Sequence, residues 1–170
     1  MEEALHEFAH TIFTILKVIV IVLVECVKAC LPNGVLPLKS VRGDVCLVTG
    51  AGSGIGRLMA IEFAKLGCTL VLWDVNTNGN EETKKLIAKT GVKVKAYTLD
   101  LSKREELKAE ADKVIKELGH VDILINNAGV VTGRKLFDCP DEMIEKTMDV
   151  NCNANLFVKI TGLFMYIPPF

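Results

Sequence analysis

The stretch VCLVTGAGSGIGRLMAIEFAKLG, residues 45–67, decides the fold of this chain. Its first part, residues 45–50, is a short apolar run rich in β-branched side chains, as expected of a buried parallel strand. A glycine-rich turn follows directly, and from Arg57 the pattern is that of a helix. A strand, a glycine-rich turn and a helix in immediate succession form the context that a phosphate-binding loop requires. The stretch therefore predicts a phosphate-binding site at the end of the first strand.

The glycines of this turn have separate physical roles. Gly50 lets the chain turn sharply, Gly54 lets the backbone approach a pyrophosphate, and Gly56 lets the helix pack closely on the strand. The N-terminus of the helix then presents free N–H groups and the positive end of its dipole to the phosphates. A glycine-rich turn alone is as often structural as functional, so the interpretation depends on the next strand.

An acidic residue ends the second strand. The run TLVLWD, residues 69–74, has the composition of another buried strand and ends in Asp74. A carboxylate at this place accepts hydrogen bonds from the ribose hydroxyls of adenosine and repels a 2′-phosphate. Ser53 and Val75 are uncharged, whereas Arg57, in the first turn of the helix, could in principle reach such a phosphate. The pattern favours NAD over NADP; the alternative is that Asp74 only ends the strand.

The chain then alternates helix, strand, helix and strand, over predicted ranges of about 79–90, 92–100, 103–118 and 121–129, the last being a buried strand that runs into a turn. Polar and apolar side chains alternate in the third strand, which predicts an edge position. Ser102 and Glu105 have the spacing of a capping box at the start of the following helix. The order of elements predicts the α/β class: the first half of a Rossmann-like, doubly wound parallel sheet, with four strands in the order 3-2-1-4.

Residues 4–31 are predicted to form a mostly apolar helix without Gly or Pro. We expect it to attach to membrane lipid, because a short domain offers too little surface to surround it. It either spans the bilayer or lies in the interface, and the alternative is a core helix of a soluble domain. Seven polar side chains share a stripe roughly 80° wide; they are Glu3, Glu7, His10, Thr14, Lys17, Glu25 and Lys28.

Changes in composition predict the domain organisation: a membrane-anchor helix over 1–31, a linker over 32–43, a nucleotide-binding half-domain over 44–155 and a divergent hydrophobic tail over 156–170. The flank after the helix is basic and the flank before it is acidic. The positive-inside tendency therefore predicts that the folded domain faces the cytosol.

Overall composition excludes some classes of function. The chain has 170 residues, 50% of them hydrophobic, which suffices for one modest domain and an appended element. A net charge of −1 without a basic run argues against a nucleic-acid partner. None of the six cysteines forms a Cys-x-x-Cys pair or has metal-ligand spacing, so we predict reduced cysteines and no metal site.

Four motifs together resemble a known family. TGAGSGIG at 49–56, Asp74, the Asp100-Leu101 pair and NNAG at 126–129 follow the order and spacing of the short-chain dehydrogenase/reductase superfamily. The sequence around them resembles the membrane-bound retinol and steroid dehydrogenases of the 16C group, over residues of about 44–152. That resemblance implies an NAD-dependent oxidoreductase of retinol-type or steroid alcohols, anchored to the endoplasmic reticulum, with lipid droplets as a second possible location.

The resemblance also implies roles for single residues. Four groups of residues would hold a pyrophosphate, an adenosine ribose, an adenine and a nicotinamide, and an asparagine would belong to the family's catalytic tetrad. These residues are Gly50, Ser53, Gly54, Ile55 and Gly56 for the pyrophosphate; Asp74 for the ribose; Asp100 and Leu101 for the adenine; Asn127, Ala128 and Gly129 for the nicotinamide side; and Asn151 for the tetrad.

The chain departs from the family after Asn153. The family's catalytic Ser and Tyr-x-x-x-Lys are missing, because Tyr97 and Tyr166 are followed four residues later by Leu101 and Phe170. We therefore expect an incomplete form of the enzyme that is inactive by itself. The alternatives are a non-catalytic, membrane-anchored dinucleotide-binding protein that pairs with itself or a full-length relative, and a truncated product that folds poorly.

Overall fold

The computed structural model describes residues 2–31 and 39–160. The chain divides after Ser40 into two compact units. The first unit contains α1 (Glu2–Ala29), one uninterrupted helix whose apolar side chains are exposed within the unit. No helix in the two described segments combines the length and the apolar character needed to cross a bilayer. Most of the predicted linker and the end of the predicted tail lie outside the described residues.

The second unit contains four strands and five helices. The strands are β1 (Val45–Thr49), β2 (Thr69–Asp74), β3 (Val94–Thr98) and β4 (Ile123–Ile125). The helices are α2 (Gly54–Lys65), α3 (Thr77–Ala88), α4 (Arg104–Leu118), α5 (Asp141–Met148) and α6 (Ala154–Ile160). The strands form a fully parallel sheet in the order β3-β2-β1-β4, as predicted. A short 3-10 turn, Leu136–Asp138, precedes α5, and a π-helical turn, Asp149–Asn153, joins α5 to α6.

Helices cover both faces of the sheet. Alternate residues of β1 point to opposite faces: Leu47 packs with Leu107 and Val158 of α4 and α6, whereas Val48 packs with Ala60 and Ile87 of α2 and α3. All five side chains of β1 are buried, which explains why its sequence is apolar up to Thr49. The predicted doubly wound arrangement is confirmed, with β3 at one edge of the sheet.

Three local predictions need correction. Helix α3 begins before residue 79, because the side chain of Asn76 accepts a hydrogen bond from Gly79 N at 3.0 Å and caps it. The predicted capping box is wrong: Ser102 Oγ donates to Asp100 Oδ1 at 2.7 Å, and Lys103 occupies the N-cap without a side-chain hydrogen bond. Strand β4 lies within 121–129 and leads into a turn as predicted, but it covers only Ile123–Ile125, and its side chains are partly buried rather than buried.

The sheet register brings the ends of the strands to one edge. Thr49 lies beside Trp73, and Asp74 lies beside Thr98. Because all four strands are parallel, the glycine-rich turn and the segments after β2, β3 and β4 lie along this carboxyl edge. In open α/β sheets, ligands bind in the crevice outside this edge.

Candidate functional site

A cavity of about 510 Å³ lies at the carboxyl edge of the sheet. Every residue predicted to bind a cofactor lines it except Gly56. Five further residues, which the sequence alone did not single out as ligands, complete the lining: Val75, Leu99, Val130, Lys146 and Val150. The structure therefore brings together residues that lie up to about a hundred positions apart in the sequence.

Gly56 does not line the cavity but packs against Gly50 and Asn127, which do. A Cβ atom at this position would overlap Gly50 O, Gly50 C and Asn127 Nδ2. Gly54, by contrast, has a φ of +52°, and no atom lies within 4 Å of the place that a Cβ would take, so its backbone faces open space. Gly56 thus allows the close packing that the sequence predicts, and the open space at Gly54 agrees with the approach of a ligand, which stays a prediction.

The N-terminus of α2 points its backbone donors to this cavity without a side-chain cap. Ser53 is the N-cap residue, yet its side chain makes no capping hydrogen bond, and the first turn of α2 carries no acidic residue. Ser53, Gly54 and Ile55 all line the cavity. An uncapped helix N-terminus leaves its first N–H groups and its positive dipole end available to an anion.

Asp74 occupies the end of β2, where its carboxylate lines the cavity. Its Oδ2 accepts a hydrogen bond from Gly52 N at 2.7 Å, and its Oδ1 accepts one from Asn76 N at 2.8 Å. Two carboxylate oxygens offer about four lone-pair sites. The remaining sites can accept hydrogen bonds from two neighbouring hydroxyl groups of a ribose.

Thr49 joins the glycine-rich turn to the segment after β4, and sequence reasoning did not select it. Its fully buried Oγ1 accepts hydrogen bonds from Asn127 N and Ala128 N, both at 3.0 Å, and donates to Ile125 O at 3.3 Å. Asn127 Nδ2 donates in return to Thr49 O at 3.0 Å. A lone hydroxyl at the end of an otherwise apolar strand is the signal in the sequence that could have identified it.

Asn151 lies in the π-helical turn and braces the segment that follows Gly129. Its Oδ1 accepts a hydrogen bond from Val130 N at 2.8 Å, and its Nδ2 donates to Val130 O at 2.9 Å. The side chain does not line the cavity itself, although it lies directly behind Gly129. A second cavity of about 380 Å³ adjoins this segment and shares Val130 and Lys146 with the first.

Lys146 of α5 connects the second half of the unit to the end of β3. Its Nζ lies 2.7 Å from Asp100 Oδ2 and 2.9 Å from Ser102 Oγ. Burial of Asp100 works to raise the pKa of its carboxyl group, but hydrogen bonds from Lys146 and Ser102 outweigh burial and lower the pKa to about 2. Asp100 is therefore an anion in the cavity wall across the physiological range.

This ion pair predicts a specific dependence of stability on pH. The folded pKa of Asp100 lies below its ordinary value of 3.8, so the stabilisation is fully present above pH 4 and is lost as pH falls towards 2. We expect the difference in free energy of unfolding between the wild type and Lys146→Met to shrink over that window, measured by urea denaturation. Lys85→Met on α3 is the control; an equal shrinkage there would contradict the assignment.

The cavity, the uncapped helix and the acid at the end of β2 define a dinucleotide-binding α/β protein. Residues 44–165 match the profile of the short chain dehydrogenase family. The chain therefore belongs to the short-chain dehydrogenase family.

Comparisons with curated proteins identify retinol dehydrogenases as relatives. Human epidermal retinol dehydrogenase 2 is 57% identical over 122 residues, which cover 71% of this chain and 40% of the relative. Retinol dehydrogenase 10-B of Danio rerio is 51% identical over 139 residues, which cover 70% of this chain and 41% of the relative. The chain thus spans about two-fifths of the length of these relatives.

Solved structures share the fold and bind dinucleotides. An NAD+-bound xylitol dehydrogenase matches with a TM-score of 0.67 and 30% identity, over 72% of this chain and 48% of that protein. A metagenomic short-chain oxidoreductase in complex with NADP matches with a TM-score of 0.69 and 29% identity, over 72% and 56%. A nicotinamide dinucleotide is therefore the class of cofactor that the comparisons support.

Proposed function

We propose that this chain is the NAD-binding half of a short-chain oxidoreductase of retinol-type or steroid alcohols. The observation that carries the proposal is the cavity in which the uncapped N-terminus of α2 and the Asp74 carboxylate lie together. The helix N-terminus suits a pyrophosphate, and the carboxylate suits the ribose of adenosine. Asp100 and Leu101 then flank the adenine, and residues 127–129 line the nicotinamide side.

The charges around Asp74 support a preference for NAD over NADP. A carboxylate at the ribose repels a 2′-phosphate. Arg57, in the first turn of α2, is a candidate to offset this repulsion, but its guanidinium donates to Gly52 O, Thr83 Oγ1 and Glu82 Oε2 and does not line the cavity. The cation is thus already bound to other groups.

The dinucleotide, when bound, supplies hydride transfer, and an acid/base group at the alcohol oxygen must accompany it. Tyr97 does not suit that role. Burial and the neighbouring Glu117, to which its hydroxyl donates at 3.0 Å, raise its pKa to about 12. The sequence contains no Tyr-x-x-x-Lys. We therefore expect this chain to bind dinucleotide without oxidising alcohols by itself.

The proposal includes attachment of α1 to the membrane of the endoplasmic reticulum, with the folded unit on the cytosolic side. Large apolar side chains of α1 such as Phe13, Val20 and Leu23 are half or more exposed within their unit. A helix with a narrow polar stripe suits the interface between headgroups and acyl chains. Lipid droplets, whose surface is a similar interface, are the second location.

A second candidate function is that of a non-catalytic dinucleotide-binding partner of a full-length relative or of a second copy. In the described sheet, β4 pairs with β1 on one side only. Strands with a free edge pair readily with another chain. Co-precipitation of tagged chain with a full-length relative, lost when β4 carries Leu124→Lys, would support this function over the first.

Calorimetric titration tests the dinucleotide site directly. We expect the chain to bind NAD more tightly than NADP, and we expect Asp74→Asn to weaken NAD binding about tenfold, since hydrogen bonds to charged groups contribute roughly 1.5–3 kcal/mol. Asp112→Asn, on the exposed side of α4, is the matched control and should bind as the wild type does. Absence of binding by the wild-type chain would refute the proposal.

Activity is tested in membranes that contain the chain. With NAD and retinol added, we expect no oxidation above membranes from cells with an empty vector. Turnover above that control would refute the expectation of inactivity and would require an acid/base group other than Tyr97.

A further inference from the structure

Arg57 of α2 is held by groups from two other segments of the chain, the glycine-rich turn and α3. Its Nε donates to Thr83 Oγ1 at 3.0 Å, and its Nη2 donates to Gly52 O and lies 2.8 Å from Glu82 Oε2. The Arg57 side chain is 24% exposed, whereas that of Glu82 is 63% exposed. The guanidinium therefore ties α2 and α3 to the glycine-rich turn, and Glu82 is the partner that solvent reaches.

Gly52 connects this guanidinium to the cavity. Its carbonyl accepts from Arg57, and its N–H donates to Asp74 Oδ2 at 2.7 Å. The fit is close, because a Cβ at position 52 would lie 2.9 Å from both Cγ and Oδ2 of Asp74. A displacement of the Gly52 carbonyl therefore moves the amide that orients the Asp74 carboxylate.

We propose that Arg57 is a positioning residue for Asp74 and that its pairing with Glu82 makes the site prefer NAD to NADP. This rests on the proposed dinucleotide site and adds two residues to it, neither of which lines the cavity. The cation acts through Gly52 on the carboxylate that binds the ribose hydroxyls.

The preference follows from competition for one cation. Arginine binds phosphate well because its planar guanidinium presents paired donors. In this chain, Glu82 Oε2 already accepts a hydrogen bond from the guanidinium, and the Asp74 carboxylate lies on the other side of Gly52. A 2′-phosphate would have to displace Glu82 to reach Arg57 while it faces Asp74. Neutralising Glu82 removes the competitor and leaves Asp74 in place.

Titration of three variants with both dinucleotides tests the proposal. We expect Arg57→Met to weaken NAD binding about tenfold, which corresponds to about 1.4 kcal/mol, and Arg57→Lys to recover part of the loss. We expect Glu82→Gln to keep NAD binding within about twofold and to strengthen NADP binding about threefold or more. Glu62→Gln, which removes the exposed pair with Lys65 on the same helix α2, is the control and should leave both affinities unchanged.

The amide of Gly52 gives a second measurement that needs no cofactor. In the chain without dinucleotide, we expect Arg57→Met to shift the Gly52 amide resonance upfield and to speed its hydrogen exchange, because the N–H…Asp74 bond weakens. Glu62→Gln should change neither. If the wild type binds no dinucleotide, the proposed function is wrong, and this resonance still decides whether Arg57 positions Gly52.

Three results would overturn the proposal. The first is an unchanged NAD-to-NADP ratio in Glu82→Gln, since a purely structural pair would lower both affinities together or neither. The second is an unchanged Gly52 resonance in Arg57→Met, as judged in a variant whose urea unfolding remains cooperative. The third is wild-type NAD affinity in Arg57→Met.

Discussion

Replacement of Gly56 by alanine is expected to abolish dinucleotide binding and to lower the free energy of unfolding by about 3 kcal/mol. The added methyl group would overlap the carbonyl group of Gly50 and approach Asn127 Nδ2 closer than real Cβ contacts allow. Two of the overlapped atoms belong to the backbone, so no rotamer change relieves the contact. The first turn of α2 must move away from β1, and the helix N-terminus moves with it. Urea denaturation and calorimetric titration with NAD measure the two effects.

The matched control for this prediction is Gly91→Ala. Gly91 has a φ of +80° with no atom within 4 Å of the new methyl group, so the substitution adds backbone strain without overlap. We expect it to cost roughly 1–2 kcal/mol and to leave NAD affinity unchanged. Wild-type NAD affinity in Gly56→Ala would show that close packing of α2 on β1 does not shape the site.

The sequence predicts the sheet and its order because the signals for them are local and repeated. Each inner strand is a short apolar run, and each is followed by a turn and an amphipathic helix. A parallel arrangement follows, since successive strands with helices between them form right-handed crossovers. The glycine-rich turn is equally local, so Gly50, Gly54 and Asp74 can be placed in one site from the sequence alone.

The ends of the elements depend on side-chain contacts that the pattern does not show. The predicted capping box at Ser102 does not form, because the Ser102 hydroxyl group donates its hydrogen bond to the Asp100 carboxylate, two residues earlier, instead. Glu106 then reaches Asp100 N at 3.3 Å, which the spacing of Ser102 and Glu105 did not indicate. Short polar side chains can satisfy several neighbouring groups, and the choice among them depends on the local backbone.

Contacts between distant segments could not be predicted from one sequence. Lys146 meets Asp100 from a helix 46 residues away, and both lie in the cavity wall. A lysine in the last turn of α5 has the pattern of an exposed helix residue, and only the packing of α5 beside the end of β3 gives it a partner. Arg57 differs from Lys146, because its position in the sequence suggested that it could reach a phosphate. In the structure, its guanidinium instead donates hydrogen bonds to α3 and to the glycine-rich turn.

Replacement of Thr49 by valine is the other change with a large expected effect. Valine has nearly the shape of threonine, so the strand should pack as before, but two partly buried N–H groups, of Asn127 and Ala128, lose their fully buried acceptor. An unsatisfied buried donor costs about 1–3 kcal/mol. We expect the free energy of unfolding to fall by about 3 kcal/mol, and NAD affinity to fall as the segment 126–129 separates from β1. Urea denaturation and calorimetric titration measure both.

Thr98→Val separates this effect from the general cost of removing a threonine hydroxyl from a strand. Thr98 is exposed at the end of the edge strand β3, so we expect its replacement to change stability by less than about 0.5 kcal/mol. Thr49→Ser completes the test, because it restores the acceptor with one methyl group fewer. Serine should recover the NAD affinity and most of the stability. Equal losses in Thr49→Ser and Thr49→Val would show that packing of the methyl group, and not the hydroxyl, joins β1 to the nicotinamide side of the cavity.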